Sequence, residues 1–153
     1  KLMMETLKQY KSSVLYIPQE IELGDSEHII ERIRQYDGEL KGRLMTLISH
    51  LDSDPKRILE TDQPSPGEMR KILLAEGILN EPALIIMDEP TNHMDLPSIK
   101  CLEEALTATG CAILLVSHDD HFLKRTVAEF WYFYQDVRGR SIKILKSATF
   151  PEF

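Results

Sequence analysis

Two apolar runs in the second half of the sequence end in polar side chains that could do chemistry. The first run, 83–87, is followed by Asp88 and Glu89, and the second, 111–116, is followed shortly by His118. Two adjacent carboxylates are costly to hold together unless a cation or a proton offsets their repulsion. Mg²⁺ that is also bound by phosphate oxygens is a common solution. One carboxylate could then face the metal while the other orients a water molecule. Solvated acidic side chains at strand ends are the plain structural alternative.

A second candidate lies upstream, where a helix is predicted to begin. Ser65 and Glu68 have the spacing of a capping box, with Pro66 at the first helical position. Gly67 leaves the backbone uncovered where amide groups point forward, and a helix N-terminus with free N–H groups suits a phosphate. A well-capped structural helix is the alternative. The stretch therefore points to phosphate binding only in combination with the acidic pair and the histidine.

The order of these segments resembles that of the ATP-binding cassette (ABC) ATPases. The segment 87–95, Met-Asp-Glu-Pro-Thr-Asn-His-Met-Asp, resembles a Walker B motif that continues into a D-loop, and it is the most specific part of the resemblance. The Thr-Asn-His-x-Asp form, with Ser-His-Asp-x-x-Phe-Leu at 117–123, is most similar to the ABC-F subgroup. Members of that subgroup are soluble twin-cassette proteins, many of which act on ribosomes. The other matching segments are the signature motif at 65–68, the switch-histidine motif at 117–119 and the Q-loop at 16–20.

The resemblance implies ATP and Mg²⁺ as ligands and gives each motif residue a role. Asp88 would hold Mg²⁺, Glu89 would be the general base that polarises the attacking water, and His118 would contact the γ-phosphate. Gln19 would sense Mg²⁺ and the γ-phosphate and couple the helical subdomain to the nucleotide state. The residues that would bind ATP held by a partner cassette, or shape that interface, are Ser65, Gly67, Glu68 and Asp95.

The sequence also departs from the family pattern. It contains no Gly-x-x-x-x-Gly-Lys-Ser/Thr phosphate loop (Walker A), whose lysine and backbone amides hold the β- and γ-phosphates. In the family that loop lies just upstream of the Q-loop, and the first residue here is Lys1 rather than Met. We therefore expect the chain to be part of a longer protein, called the parent below, and to be inactive as an ATPase alone. Pro66 stands where the family usually has Gly, which removes an amide donor, and Pro64 stands where it has Leu.

The elements that must position these residues are predicted from apolar spacing. Positions 83–87 and 111–116 are apolar without alternation, which is typical of strands in a parallel sheet, and 97–107 between them has apolar residues at helical spacing. Parallel strands end at a common edge, where ligands bind. With the resemblance, this predicts an α/β fold: a partial P-loop NTPase-like (ABC cassette) sheet with a helical signature subdomain and without the Walker A portion.

Three parts follow one another along the chain. Residues 1–24 are predicted to form a lead segment and the Q-loop strand, which is the β-favouring run 14–17. Residues 25–80 carry apolar side chains at helical spacing and predict a helical subdomain that ends in the signature helix. Residues 81–153 are predicted to form the α/β catalytic-core part and a C-terminal β-rich tail.

Local signals predict two further features within these parts. Asp25 or Ser26 is expected to cap the first helix of the helical subdomain. The tail at 129–146 predicts a hairpin with its turn at 138–139. We expect the aromatic residues at 131–134 to serve as core and cover of this hairpin rather than as a base-stacking platform.

Composition and charge narrow the function classes. The chain has 18 basic and 25 acidic residues and a net charge of −7, so we expect no direct binding of nucleic acid by this segment. No apolar stretch approaches the roughly 20 residues of a membrane span. Two cysteines, Cys101 and Cys111, suit a reduced, cytoplasmic protein. The expected partners are a second cassette of the same parent chain, or a dimer mate, and the ribosome through the parent.

Two other function classes fit the same residues. A metal-dependent hydrolase could use Asp88, Glu89, His118 and His121, and it would need three or four of these ligands at short range around Zn²⁺ or Mn²⁺. The chain could also be a non-catalytic interaction fragment, because it lacks the phosphate loop.

Overall fold

A parallel sheet lies at the centre of the protein. The computed structural model describes residues 14–21, 23–61, 64–135 and 142–149. The strands of the sheet, in their spatial order, are β1 (Val14–Ile17), β2 (Leu84–Asp88) and β3 (Ala112–Val116). The predicted α/β class and parallel sheet are therefore confirmed. The predicted lead segment before β1 lies outside the described residues.

The strand register brings the carboxyl ends of the three strands to one edge. Ile17 lies beside Met87, and Asp88 lies beside Val116. The central strand β2 is buried through its middle, as its continuous apolar run predicts. The outer strand β3 differs from this expectation: every second side chain is exposed, including Leu114 and Val116, at 37% and 54%. Among the described residues β3 pairs with β2 alone and is therefore an edge strand, and no described segment buries its outer face.

Four helices connect β1 to β2. They are α1 (Leu23–Arg34), α2 (Gly38–His50), α3 (Pro55–Glu60) and α4 (Pro66–Leu79). The predicted helical character of this region is confirmed, but the predicted start of α1 is wrong. The helix begins at Leu23, before both of the expected capping residues, Asp25 and Ser26. The apolar periodicity at Ile29, Ile30 and Ile33 shows that a helix must exist, but it does not mark where the first turn begins.

Side-chain caps define the starts of the next two helices. The carboxylate of Asp37 accepts a hydrogen bond from the Leu40 amide at 2.9 Å, and that of Asp54 accepts one from the Lys56 amide at 2.9 Å. Such caps satisfy amides that have no partner within the helix. Pro55 follows Asp54 at the first helical position, where its missing N–H costs no hydrogen bond.

The hydrophobic core lies where the helices of this region meet one face of the sheet and the helix between β2 and β3. Its members are buried and apolar. They include Ile17, Ile33, Leu44, Ile48, Ile58, Met69, Ile72, Leu74, Ile85, Met87, Leu102, Leu106 and Phe122. They come from β1, β2, the four helices between these strands, and the helices that follow β2 and β3, and the partly buried Ile113 and Leu115 of β3 pack against them. The site described below is therefore built on a single packed unit.

The remaining elements follow β2. They are α5 (Leu96–Ala108), α6 (Asp120–Thr126), β4 (Phe130–Gln135) and β5 (Ile142–Ser147). The last two strands pair antiparallel, which confirms the predicted hairpin, and its predicted turn at 138–139 lies outside the described residues. The expectation that the aromatic residues serve as core and cover is wrong for two of them. Trp131 and Phe133 are 54% and 66% exposed, because alternate side chains of β4 point away from the protein.

Across the described ranges, no helix has the length and apolar character that crossing a membrane requires.

Candidate functional site

The acidic pair lies where β2 ends at the common edge of the sheet. Asp88 is its last residue, and Glu89 follows with φ 46°, in the left-handed region. The Glu89 amide donates a 2.7 Å hydrogen bond to the carbonyl of Val116. A side chain other than glycine costs roughly 1–2 kcal/mol in this conformation. The turn is held by that bond and directs the Glu89 side chain, which is 9% exposed as a residue, toward the end of β3.

His118 meets Glu89 at this edge. Its backbone amide donates to Oε2 of Glu89 at 3.3 Å, and its Nε2 lies 3.6 Å from Oε1. The imidazole of His118 is 99% exposed and faces solvent, whereas the side chain of Glu89 is sheltered. The flanking Asp119 caps α6 by accepting from the Phe122 amide at 3.0 Å. The structure thus brings the predicted base and the predicted switch histidine into contact.

The start of α4 carries the predicted capping box. The amide of Glu68 donates to Oγ of Ser65 at 3.3 Å, and the amide of Ser65 donates to Oε2 of Glu68 at 2.8 Å. Oε1 of Glu68 also forms a 2.7 Å ion pair with Arg57. Burial opposes ionisation of Glu68, but the hydrogen bonds with Ser65 and the charge of Arg57 together hold its pKa below the ordinary value. The carboxylate of Glu68 is therefore engaged within the chain, while Ser65 remains exposed.

Gly67 lies against the turn that follows the acidic pair. A Cβ atom at this position would meet the carbonyl oxygen of His93 at 3.0 Å. His93 has φ 64°, so a second residue of this segment lies in the left-handed region. Close approach of the two backbones therefore requires a glycine here.

Asp95 ends the same turn and caps α5. Its Oδ1 accepts from the Ser98 amide at 3.1 Å, and hydrogen bonding with Ser98 lowers the pKa of Asp95. Residues of the signature motif and the D-loop line a common cleft of about 400 Å³. Its lining includes Arg57, Ser65, Gly67, Glu68, His93 and Asp95.

The predicted site residues therefore fall into two groups. Asp88, Glu89 and His118 lie at the carboxyl ends of β2 and β3, and the signature and D-loop residues share the cleft at the start of α4. Gln19 follows β1 with an exposed side chain.

Two buried cations of α4 were missed by the sequence analysis. Arg70, 2% exposed, donates to the backbone carbonyls of Gln19 and Asn92. Lys71, 6% exposed, donates to the carbonyl of Asp52 at 2.8 Å and to Oγ of Ser98 at 2.7 Å. Both lie between Met69 and the apolar run 72–75, and consecutive basic residues in such a context are the signal that could have identified them.

The acidic pair fits a magnesium ion. Asp88 is half-buried, and no described residue donates a hydrogen bond to its carboxylate. Carboxylate oxygens are the ligands that Mg²⁺ prefers in proteins. His121 lies exposed on α6. Within the described segments, no three or more His, Cys, Asp or Glu side chains are grouped to hold a metal ion, so the hydrolase alternative lacks its ligand cluster there.

Comparisons with known proteins agree with this layout. The family described as "ABC transporter" matches residues 1–92. The energy-dependent translational throttle protein EttA of Mycobacterium tuberculosis is 38% identical over an alignment of 118 residues that covers 67% of this chain and 21% of EttA. The ribosome protection protein VmlR of Bacillus subtilis is 42% identical over 87 residues, covering 56% of this chain and 16% of VmlR. The chain thus spans about a fifth or less of the length of these relatives.

A solved structure supports the fold independently. It is a dimeric, post-hydrolysis state of an ATP-binding cassette bound to ADP and Pi, and it matches with a TM-score of 0.56 at 19% identity, covering 84% of this chain and 62% of its own. The fold, the order of the motifs and the family match all point the same way. The chain belongs to the ABC transporter family, in agreement with the ABC-F resemblance of its motifs.

Proposed function

We propose that this chain is part of the nucleotide-binding domain of an ABC-F-like ATPase. Its parent binds and hydrolyses ATP with Mg²⁺ at an interface between two cassettes. The observation that carries this proposal is the contact between Glu89 and His118 beside Asp88, at the edge of the sheet where the strands end. Phosphoryl transfer depends mainly on positioning and charge stabilisation, so a few well-placed groups suffice when the phosphate loop supplies the rest.

Each group at the sheet edge has a role in this proposal. Asp88 and Gln19 hold the Mg²⁺ ion, which when bound neutralises charge on the phosphate oxygens. Glu89 orients the attacking water and accepts its proton, because its carboxylate is sheltered and held by the His118 amide. The exposed His118 imidazole contacts the γ-phosphate and helps to position that water.

The cleft at the start of α4 serves a second cassette. Ser65 and Gly67 contact ATP held by the phosphate loop of the partner, and Asp95 shapes the interface by fixing the start of α5. Glu68 acts through Ser65, since its carboxylate is engaged in the capping box. Pro66 supplies no amide to this contact. The dimeric cassette among the structural neighbours supports a two-cassette arrangement for the parent.

The partners of the parent follow from its relatives. EttA is named for translational throttling and VmlR for ribosome protection. We therefore propose the ribosome as the target of the parent and the cytoplasm as its location. The 153 residues alone contain no phosphate loop, and we expect them to show no ATPase activity.

Glu89→Gln in the full-length parent tests this proposal. The substitution removes the base but retains shape and hydrogen bonding, so kcat for ATP should fall on the order of 100-fold or more, and the ATP-bound closed state should accumulate. Glu104→Gln, an exposed position on α5, is the matched control and should leave turnover unchanged. Continued fast hydrolysis by the Glu89→Gln parent would exclude Glu89 as the base.

A further inference from the structure

We propose that Arg70 is a positioning residue that couples the Q-loop to the D-loop by holding the backbone carbonyls of Gln19 and Asn92 with one buried guanidinium. This role goes beyond the motif residues of the proposed function. It rests on that function only for its effect on ATP turnover.

The geometry of the contact is specific to arginine. One terminal nitrogen of the Arg70 guanidinium donates to the carbonyl of Asn92, and the other donates to the carbonyl of Gln19. The side chain reaches both from the middle of the first turns of α4 and is 2% exposed. A guanidinium is a rigid planar fork with fixed donor directions, whereas the ammonium of lysine is a single point charge. The fork therefore fixes the directions of both hydrogen bonds, and with them the relative position of the two segments.

The segments that Arg70 joins belong to neighbouring strands. Gln19 follows β1, and Asn92 follows β2 after the acidic pair. Both acceptors are main-chain carbonyls, so the contact constrains the path of the backbone and is indifferent to the side chains at these positions. The turn at Asn92 continues into His93, whose carbonyl oxygen lies 3.0 Å from where a Cβ atom of residue 67, at the start of α4, would stand. Arg70 thus links the Q-loop to the D-loop from the signature helix, beside the place where that helix and the D-loop approach each other.

The charge of Arg70 also acts on the acidic pair. Burial lowers its pKa, and the negative charges of Asp88 and Glu89 oppose that shift. An arginine stays charged in proteins. Within the described residues, Arg70 forms no ion pair with a carboxylate. Its positive charge therefore reduces the repulsion between the two acids at the sheet edge without occupying their oxygens, which stay available to a metal ion and to water.

This arrangement gives a route for coupling. A ligand that moves the Q-loop must also move Arg70 or break its bond to Gln19, and either change acts on the turn at Asn92. Positions of catalytic groups need tolerances well below 1 Å, because misplacement of about that size can lower a rate 100-fold. Loss of the fork should therefore lower kcat of the parent. The KM for ATP should change little, because the phosphate loop of the parent makes most of the contacts to ATP.

The experiment compares Arg70→Met, Arg70→Lys and Arg43→Met in the full-length parent. Met keeps the apolar stem but removes the charge and the fork, and Lys keeps the charge alone. Arg43 is an exposed arginine of α2, which makes its replacement the matched control. Amide hydrogen exchange is measured without nucleotide, so this readout is independent of ATP hydrolysis. Thermal unfolding and steady-state ATPase kinetics are recorded for each variant.

We expect exchange in segments 17–21 and 89–95 to accelerate together in Arg70→Met, on the order of tenfold, while segment 38–50 stays as in the wild type. kcat should fall at least tenfold with KM nearly constant, and Arg70→Lys should show smaller changes of the same kind. If Arg70→Met does not fold, Arg70→Lys carries the test. Wild-type exchange and kcat in Arg70→Lys would overturn the proposal, as would equal acceleration in all three segments, since that is a general loss of stability. A parent that hydrolyses no ATP but shows the paired acceleration would refute the proposed function and leave the positioning role intact.

Discussion

The carboxylate of Glu76 holds the guanidinium of Arg32 through two hydrogen bonds, from Nε to Oε1 at 2.8 Å and from a terminal nitrogen to Oε2 at 2.6 Å. The hydroxyl of Tyr36 also donates to Oε1. Glu76 is buried in α4, while Arg32 lies in α1, so the cluster fastens the first helix of the helical region to the signature helix. Paired donors of this kind fix orientation as well as distance.

Glu76→Ala should therefore lower the free energy of unfolding by about 2 kcal/mol, because hydrogen bonds to a charged group are lost. Arg32 and Tyr36 would then lose a shared partner. Glu31→Ala, an exposed position on α1, should change stability by less than about 0.5 kcal/mol. Urea denaturation of the two variants beside the wild type measures the difference. Equal losses of stability in Glu76→Ala and Glu31→Ala would show that Glu76 contributes no more than an exposed carboxylate does.

Two helical glycines should respond to alanine with opposite signs. Gly67→Ala places a methyl group 3.0 Å from the carbonyl oxygen of His93, and the resulting crowding should cost about 1–2 kcal/mol. Gly42→Ala in α2 meets nothing within 4 Å and should stabilise the helix by about 0.5–1 kcal/mol. Thermal unfolding of both variants tests the pair. If both substitutions raise the unfolding temperature, the turn at His93 can move away from α4 at little cost.

Acid should weaken the start of α4 through Glu68. Since folding lowers the pKa of Glu68 below its ordinary value of 4.5, the carboxylate stabilises the folded state above that pH. The contribution is lost as the pH falls through the lower folded-state value. Glu68→Gln should be less stable than the wild type at neutral pH, and the difference in stability should shrink as the pH falls below 4.5. Chemical denaturation from neutral to acidic pH, with Glu104→Gln as control, measures the difference in the free energy of unfolding. A gap that is constant with pH would mean that ionisation of Glu68 does not stabilise the helix start.

Much of the fold could be predicted because it rests on local signals. The run Val14 to Ile17, bounded by a proline, is the strand found in the structure. The capping box of Ser65 and Glu68 forms with both hydrogen bonds. Each of these features depends on residues within a few positions of one another, so sequence spacing is sufficient evidence for it.

The features that could not be predicted depend on contacts between distant segments. Nothing in the neighbourhood of Arg70 indicates that its acceptors are the carbonyls of Gln19 and Asn92, which are 51 and 22 positions away. The exposure of Trp131 and Phe133 likewise depends on what packs against the hairpin, and composition alone favoured burial. At the site, sequence motifs named Glu89 and His118 correctly as neighbours, but the left-handed turn that aims Glu89 at β3 is visible only in the backbone.

The exposed side of β3 affects how the polypeptide can be handled. Leu114 and Val116 form an apolar strip beside a strand edge that no other described segment covers. Such edges join readily to a second copy and seed insoluble assemblies. A solution of these 153 residues should therefore be kept dilute, since a high concentration favours pairing of these exposed strand edges between copies.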